Sequence, residues 1–223
     1  ALTTLESDMP TIAVPAPAAG TVREVRLKVG DKIAEGSVIL LLETTNSTAN
    51  TLGGIKIEVI EFFSYMCPHC DQIDPVVSQW QKTLAKDVVF HRMPVVFRPQ
   101  WEAPARLYYT LEAMGELEKL HPAAFAAIHR ENTNLMNDAG VIDWAVKKGL
   151  DRKKFSDTFN SFGVMSKIQG SKQKQGAYGI SGVPSFVVAG KYRNPENVPG
   201  GYEGLIKRVD ELIAKARAEQ GKK

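Results

Sequence analysis

Cys67 and Cys70 are the only two cysteines in the 223-residue chain, and they are separated by Pro68 and His69. Two thiols at this spacing can close a small disulfide ring and reopen it, and a thiol attacks a disulfide only as its thiolate. A short apolar run, residues 55–63 (IKIEVIEFF), leads into the pair and reads as a buried strand. Behind it Ile73, Val76, Val77, Trp80 and Leu84 recur at helical spacing. A strand-to-helix junction sets Cys67 at the helix N-terminus, where unpaired N–H groups and the helix dipole favour negative charge. Cys70 falls one turn further in, as the resolving thiol. His69, when protonated or donating, adds to the stabilisation of a Cys67 thiolate. Lowering the Cys67 pKa stabilises the reduced form and makes the disulfide a stronger oxidant. The competing reading, a structural disulfide, gains little because so small a ring constrains almost nothing.

Other chemistries find less support. A structural zinc site takes about four ligands, and only His69 lies near the cysteines, with His91, His121 and His129 scattered. Two cysteines exclude a disulfide scaffold. The net charge of +3 is too small to imply nucleic acid. It is also uneven: residues 1–50 carry four Lys/Arg against six Asp/Glu, the remainder twenty-four against nineteen, which suggests two units with different surfaces. Lysines within residues 167–174 read as a solvated helix face. No apolar run approaches the roughly 18 residues that span a bilayer, and a chain beginning at Ala1 fits a mature form whose secretory signal has been removed.

The elements that must position the dithiol follow from the pattern. Residues 55–97 form a β-α-β unit: the strand 55–63, a helix ending near residues 86–87, and a second strand at 87–97 that Pro94 and Pro99 help to end. The crossover implies parallel pairing, and Pro75 should kink the helix. Residues 100–178 are almost wholly helical in pattern, with Gly115, Gly140 and Gly149 as breaks, and an insertion spans about 100–165. Pro122 to His129 reads as one of these helices. The chain returns to strand at 182–190, opened by Pro184, with a hairpin partner at 191–193 and a closing amphipathic helix over 205–218. Ahead of all this, residues 1–44 alternate as short strands at 11–14, 21–27 and 38–42, a small all-β unit. Residues 45–54, rich in Thr, Asn and Gly, read as a flexible linker between it and a domain over 55–220.

The stretch 61–70 (EFFSYMCPHC), a helical insertion and then 182–186 (GVPSF) resemble the DsbA family of periplasmic thiol:disulfide oxidoreductases. The resemblance implies an α/β, thioredoxin-like fold with a helical insertion, and a dithiol oxidase working through Cys67 and Cys70 with Pro68 and His69 between them. It implies that Pro184 is a cis-proline facing the disulfide, with the Val183 backbone free to pair with an extended substrate chain; an ordinary trans proline is the plainer alternative. Glu61, on a doubly buried strand, needs a partner, and Arg92, at the family's lysine position, is the natural one. In the family such an acid modulates proton transfer to the resolving cysteine; a solvent-reaching strand-end acid is the alternative. Asp74 matches another acidic family position or is a surface aspartate, and Phe63 and Tyr65 border the site. The implied partners are reduced secreted proteins and a quinone-linked membrane re-oxidase of DsbB type, with a periplasmic location, no metal and no organic cofactor.

Residues 6–17 (ESDMPTIAVPAP), 19–25 (AGTVREV) and 29–36 (VGDKIAEG) resemble the second half of a biotinyl/lipoyl domain. That family acylates a lysine in its central turn. Met9 stands there, so this unit is no carrier at that position. A half barrel leaves strand edges uncovered. Two copies completing one barrel across a two-fold axis, giving a homodimer through residues 1–44, is the sharpest resolution; packing back on its own redox domain and a remnant or fusion are the others. A disulfide isomerase or reductase dimerised through the β module is the rival function, and a non-enzymatic docking module the remote one.

Overall fold

The computed structural model describes residues 56–194 and 198–221, together with four short strands at 3–5, 12–14, 21–25 and 40–43. The chain divides into two compact units, Ala1–Ile55 and Lys56–Lys223. In the first, β1 (Thr3–Leu5) pairs antiparallel with β2 (Ile12–Val14), and β3 (Thr21–Val25) with β4 (Leu40–Glu43). The turn around Met9, residues 29–36 and the linker at 45–54 lie outside the described residues.

The second unit is built on a four-stranded mixed sheet in the order β6-β5-β7-β8. β5 (Ile57–Phe63) sits inside it, parallel to β6 (Val88–Pro94) and antiparallel to β7 (Ser185–Val188), which forms a hairpin with β8 (Tyr192–Arg193). A strand with neighbours on both edges and layers on both faces needs a continuous apolar run, and six of the seven β5 residues are buried. Helix α1 (Pro68–Gln81) follows β5, with Pro68 at its first turn, where a missing N–H costs nothing. On one side of the sheet Ile73, Val77 and Trp80 of α1 pack with Ile57 and Val59 against Leu205, Val209 and Ile213 of α7 (Gly201–Gln220).

Between β6 and β7 lie α2 (Glu102–Met114), α3 (Leu117–His129), α4 (Asp138–Lys147), α5 (Arg152–Phe159) and α6 (Phe162–Ala177), with a 3-10 turn at Pro99–Trp101 before them. Their core, including Leu107, Leu111, Phe125, Trp144 and Phe155, is continuous with Phe63, Tyr65, Cys67 and Cys70. The cysteines therefore sit where β5 and α1 meet the helical insertion.

Several sequence expectations shift. Helix α1 ends at Gln81, five residues short of 86, although it does carry Pro75 inside it as expected. Helix α3 starts at Leu117, so Pro122 lies inside it. Gly115 and Gly149 do end helices in left-handed conformations, φ 73° and 92°. Gly140, by contrast, is inside α4. A Cβ there would lie 2.1 Å from the Asn134 carbonyl oxygen, so glycine serves close approach of the preceding loop. The cap is Asn137, whose side chain accepts the Gly140 N–H at 2.8 Å.

Candidate active site

Cys67 is the N-cap of α1, extended at φ −96° and ψ 116°, and its carbonyl accepts the Cys70 and Asp71 N–H groups at 3.1 and 3.2 Å. Ser64 shapes the approach: its carbonyl accepts the Cys67 N–H and its hydroxyl the Met66 N–H, each at 3.1 Å. The two residues differ in exposure, Cys67 at 8 % and Cys70 at 1 %. As a thiol, Cys67 donates to the Val183 carbonyl at 3.4 Å, and the Val183–Pro184 peptide bond is cis. A hydrogen bond from the Cys70 thiol, outweighing burial and joined by the Cys70 and His69 N–H groups and the His69 charge, lowers the Cys67 pKa to about 6. Burial, with Cys67 beside it, pushes the Cys70 thiol well above its ordinary range.

Pro68 and His69 are exposed. The Tyr202 hydroxyl, at the start of α7, donates to Gln72 Oε1 at 2.6 Å and lies 3.0 Å from His69 Nδ1. An amide oxygen only accepts, so the single phenolic proton is committed to Gln72 and His69 must donate from Nδ1. His69, Val183, Pro184, Arg193, Tyr202 and Leu205 line part of a cleft of about 850 Å³ beside Cys67.

Beneath the dithiol runs a buried polar cluster. The β5/β6 register sets Glu61 opposite Arg92, and Arg92 Nε donates to Glu61 Oε2 at 3.1 Å. Arg92 also reaches Asp74, Ser78 and Gln81 at 3.1 Å each. Burial raises the Glu61 pKa to about 7 against the pull of Arg92. Burial works against the ionised Asp74, but the bond from His121 and the charges around it hold its pKa below the ordinary value. His121 closes the cluster, with Nε2 3.1 Å from Asp74 Oδ1 and Nδ1 2.7 Å from the Tyr65 hydroxyl.

The structure thus gathers Cys67, Cys70, His69, Val183 and Pro184 at one mouth, with Glu61 and Arg92 paired behind them. Phe63 and Tyr65 lie edge to face with ring centroids 5.3 Å apart, and both belong to the cluster around the cysteines. Asp74 is no surface aspartate; it is buried. Sequence reasoning missed Tyr202 and His121, which stand 133 and 47 residues from the partners they touch. The one available signal was a histidine among apolar residues of a helix stripe.

Residues 58–203 match the family model for the DSBA-like thioredoxin domain, and residues 1–42 the model for Biotin-requiring enzyme. The chain is 42% identical over 163 residues to the thiol:disulfide interchange protein DsbA of Bordetella pertussis, covering 73% of this chain and 78% of that protein. Its counterpart in Pseudomonas aeruginosa is 40% identical, with 73% and 77% covered. The crystal structure of Pseudomonas aeruginosa DsbA superimposes with a TM-score of 0.71 at 39% identity, over 78% of this chain and 90% of that one.

Proposed function

The chain belongs to the DSBA-like thioredoxin domain family, and on that premise we propose how it works as a thiol:disulfide oxidoreductase that introduces disulfide bonds. The observation that carries the reading is the asymmetry of the pair: Cys67 at a helix N-terminus beside an open cleft, Cys70 sealed beneath it.

In the oxidised enzyme a substrate thiolate attacks Cys67 Sγ. The Cys67–Cys70 bond breaks, a substrate–Cys67 disulfide forms, and Cys70 leaves as a thiolate. Its pKa is far above neutrality, so it takes a proton, which Glu61, itself poised near 7, supplies. A second substrate thiolate attacks the substrate sulfur of the mixed disulfide and Cys67 departs as a stabilised thiolate. Two substrate thiols have lost two electrons to the cysteine pair. Val183, whose carbonyl already reaches Cys67, pairs with the extended substrate backbone, Pro184 borders it, and Pro68 and His69 form the exposed rim. Arg92 keeps Glu61 from being held permanently neutral.

The substrates are reduced secreted proteins, the location is the periplasm, and a quinone-linked membrane partner of DsbB type removes the electrons. Residues 1–44 form half of a biotinyl/lipoyl-like barrel that a second copy completes; the family match over 1–42 and the two antiparallel strand pairs support this. Equilibrium titration of the couple against glutathione, followed by alkylation, tests the oxidase. A potential near the roughly −270 mV of a cytosolic thioredoxin would overturn it, and efficient unscrambling of a multi-disulfide protein would favour the isomerase instead.

A further inference from the structure

The buried cluster contains one group that this mechanism leaves idle. His121 is 5% exposed, enclosed by the rings of Phe63, Tyr65, Tyr108 and Phe125. A buried imidazole needs both ring nitrogens satisfied, and what sets this one apart is the partner it takes, a carboxylate that also holds Arg92. Asp74 is an anion and can only accept, so the proton it receives comes from Nε2. A neutral imidazole has no second proton, so Nδ1 accepts from the Tyr65 hydroxyl at 2.7 Å. An imidazolium would instead leave the Tyr65 proton without that acceptor in a sealed site.

The consequence lies one residue further on. A single guanidinium, Arg92, serves two buried carboxylates, Glu61 through Nε and Asp74 through Nη2. Asp74 Oδ1 takes a bond from Arg92 and another from His121, each at 3.1 Å. The His121 bond is what lets Asp74 remain ionised without drawing more heavily on Arg92. Because the oxidase reading gives Glu61 the proton that Cys70 receives, His121 acts on the chemistry at a distance, and the inference rests on that reading.

We propose that His121 is a positioning residue of the redox reaction: by donating from Nε2 to Asp74 it leaves Arg92 available to Glu61 and so sets the pH at which Glu61 gives up its proton. The groups facing His121 are Asp74 from α1, Tyr65 from the β5–α1 junction, Tyr108 from α2 and the more distant Arg92 from β6. Tyr65 and Tyr108 are held protonated by burial. Burial likewise lowers the His121 pKa against the attraction of Asp74, so the imidazole stays neutral at pH 7. Glu61, which shares Arg92 with Asp74 and also faces Cys70 and Tyr108, is left to respond.

The test uses the full chain and follows the Glu61 carboxyl by carbon NMR across pH. His121→Phe keeps an aromatic ring but removes the donor, and the Glu61 midpoint should rise by about half a pH unit or more. His121→Gln keeps a donor at the Nε2 position and should restore the wild-type midpoint. The pH profile for oxidation of a dithiol peptide should move with it. An unmoved midpoint in folded His121→Phe, or an equal displacement in His121→Gln, overturns the proposal. Wild-type protein gives an independent reading should His121→Phe not fold: imidazole nitrogen shifts at pH 7 must report the neutral Nε2–H tautomer, and an imidazolium there sinks the idea. Titration against glutathione on the same samples separates the two claims. A reducing potential removes the oxidase reading, whereas an oxidising one with an unmoved Glu61 removes only the role of His121.

Discussion

At the scale of single residues, two titrations govern behaviour and they run in opposite directions. Cys67 ionises near pH 6 in the folded reduced protein, against an ordinary value of 9.0. Its stabilisation of the reduced form is complete above the ordinary value and is lost as pH falls through about 6. The equilibrium constant for reduction by glutathione should therefore rise about tenfold per pH unit between roughly pH 6 and 8 and flatten below. A constant slope across pH 5–8 in a quenched glutathione titration would contradict this. Glu61 is shifted the other way, from 4.5 to about 7. The folded protein favours its protonated form, so that contribution is complete below pH 4.5 and is lost as pH rises through about 7. Relative to Glu61→Gln, the wild type with its cysteines reduced should lose stability on the order of 3 kcal/mol between those limits, read from urea midpoints across pH. The cysteines were legible in the sequence because they lie at the junction of two readable elements, and Arg92 was reached as the partner of Glu61 through its place on the neighbouring strand and the resemblance to the family's lysine position. His121 and Tyr202 were not, since a histidine on a helix stripe and a tyrosine after two glycines have no local pattern that reveals a partner far along the chain.

The elements show why some boundaries could be read and others could not. The strand at β5 was plain because double-sided burial forces an unbroken apolar run. Helix ends were harder, since caps depend on tertiary neighbours. Gly140 looks like a breaker, yet it is an opening for the Asn134 carbonyl to reach the first turn of α4. Gly140→Ala should therefore cost about 1–3 kcal/mol by overpacking against backbone, although alanine is the better helix former. Denaturant unfolding of the variant measures it, and a neutral or stabilising result would mean that the loop relaxes freely. Pro122 was similarly ambiguous: a proline reads as a start, but α3 begins at Leu117 and carries it internally.

At the scale of the whole molecule, the first unit and the redox unit place separate demands on any account of function. The site residues all fall within residues 61–202, inside the second unit. Deleting residues 1–55 should leave the potential of the Cys67–Cys70 couple unchanged while converting a dimer to a monomer, as sedimentation would show. An oligomeric state untouched by the deletion removes the barrel-completion proposal.

The contacts that finish the dithiol also arrive late. Val183 follows Cys67 by 116 residues, and Tyr202 follows His69 by 133. Synthesis runs from the N-terminus, so a growing chain displays both cysteines long before the carbonyl and the hydroxyl that complete their surroundings exist. The groups that lower the Cys67 pKa lie within three residues of it, whereas the Val183 carbonyl and the Tyr202 hydroxyl, which finish the cleft side of the site, are made only after residue 180. The side of the site that receives substrate is therefore the last part of it to be made.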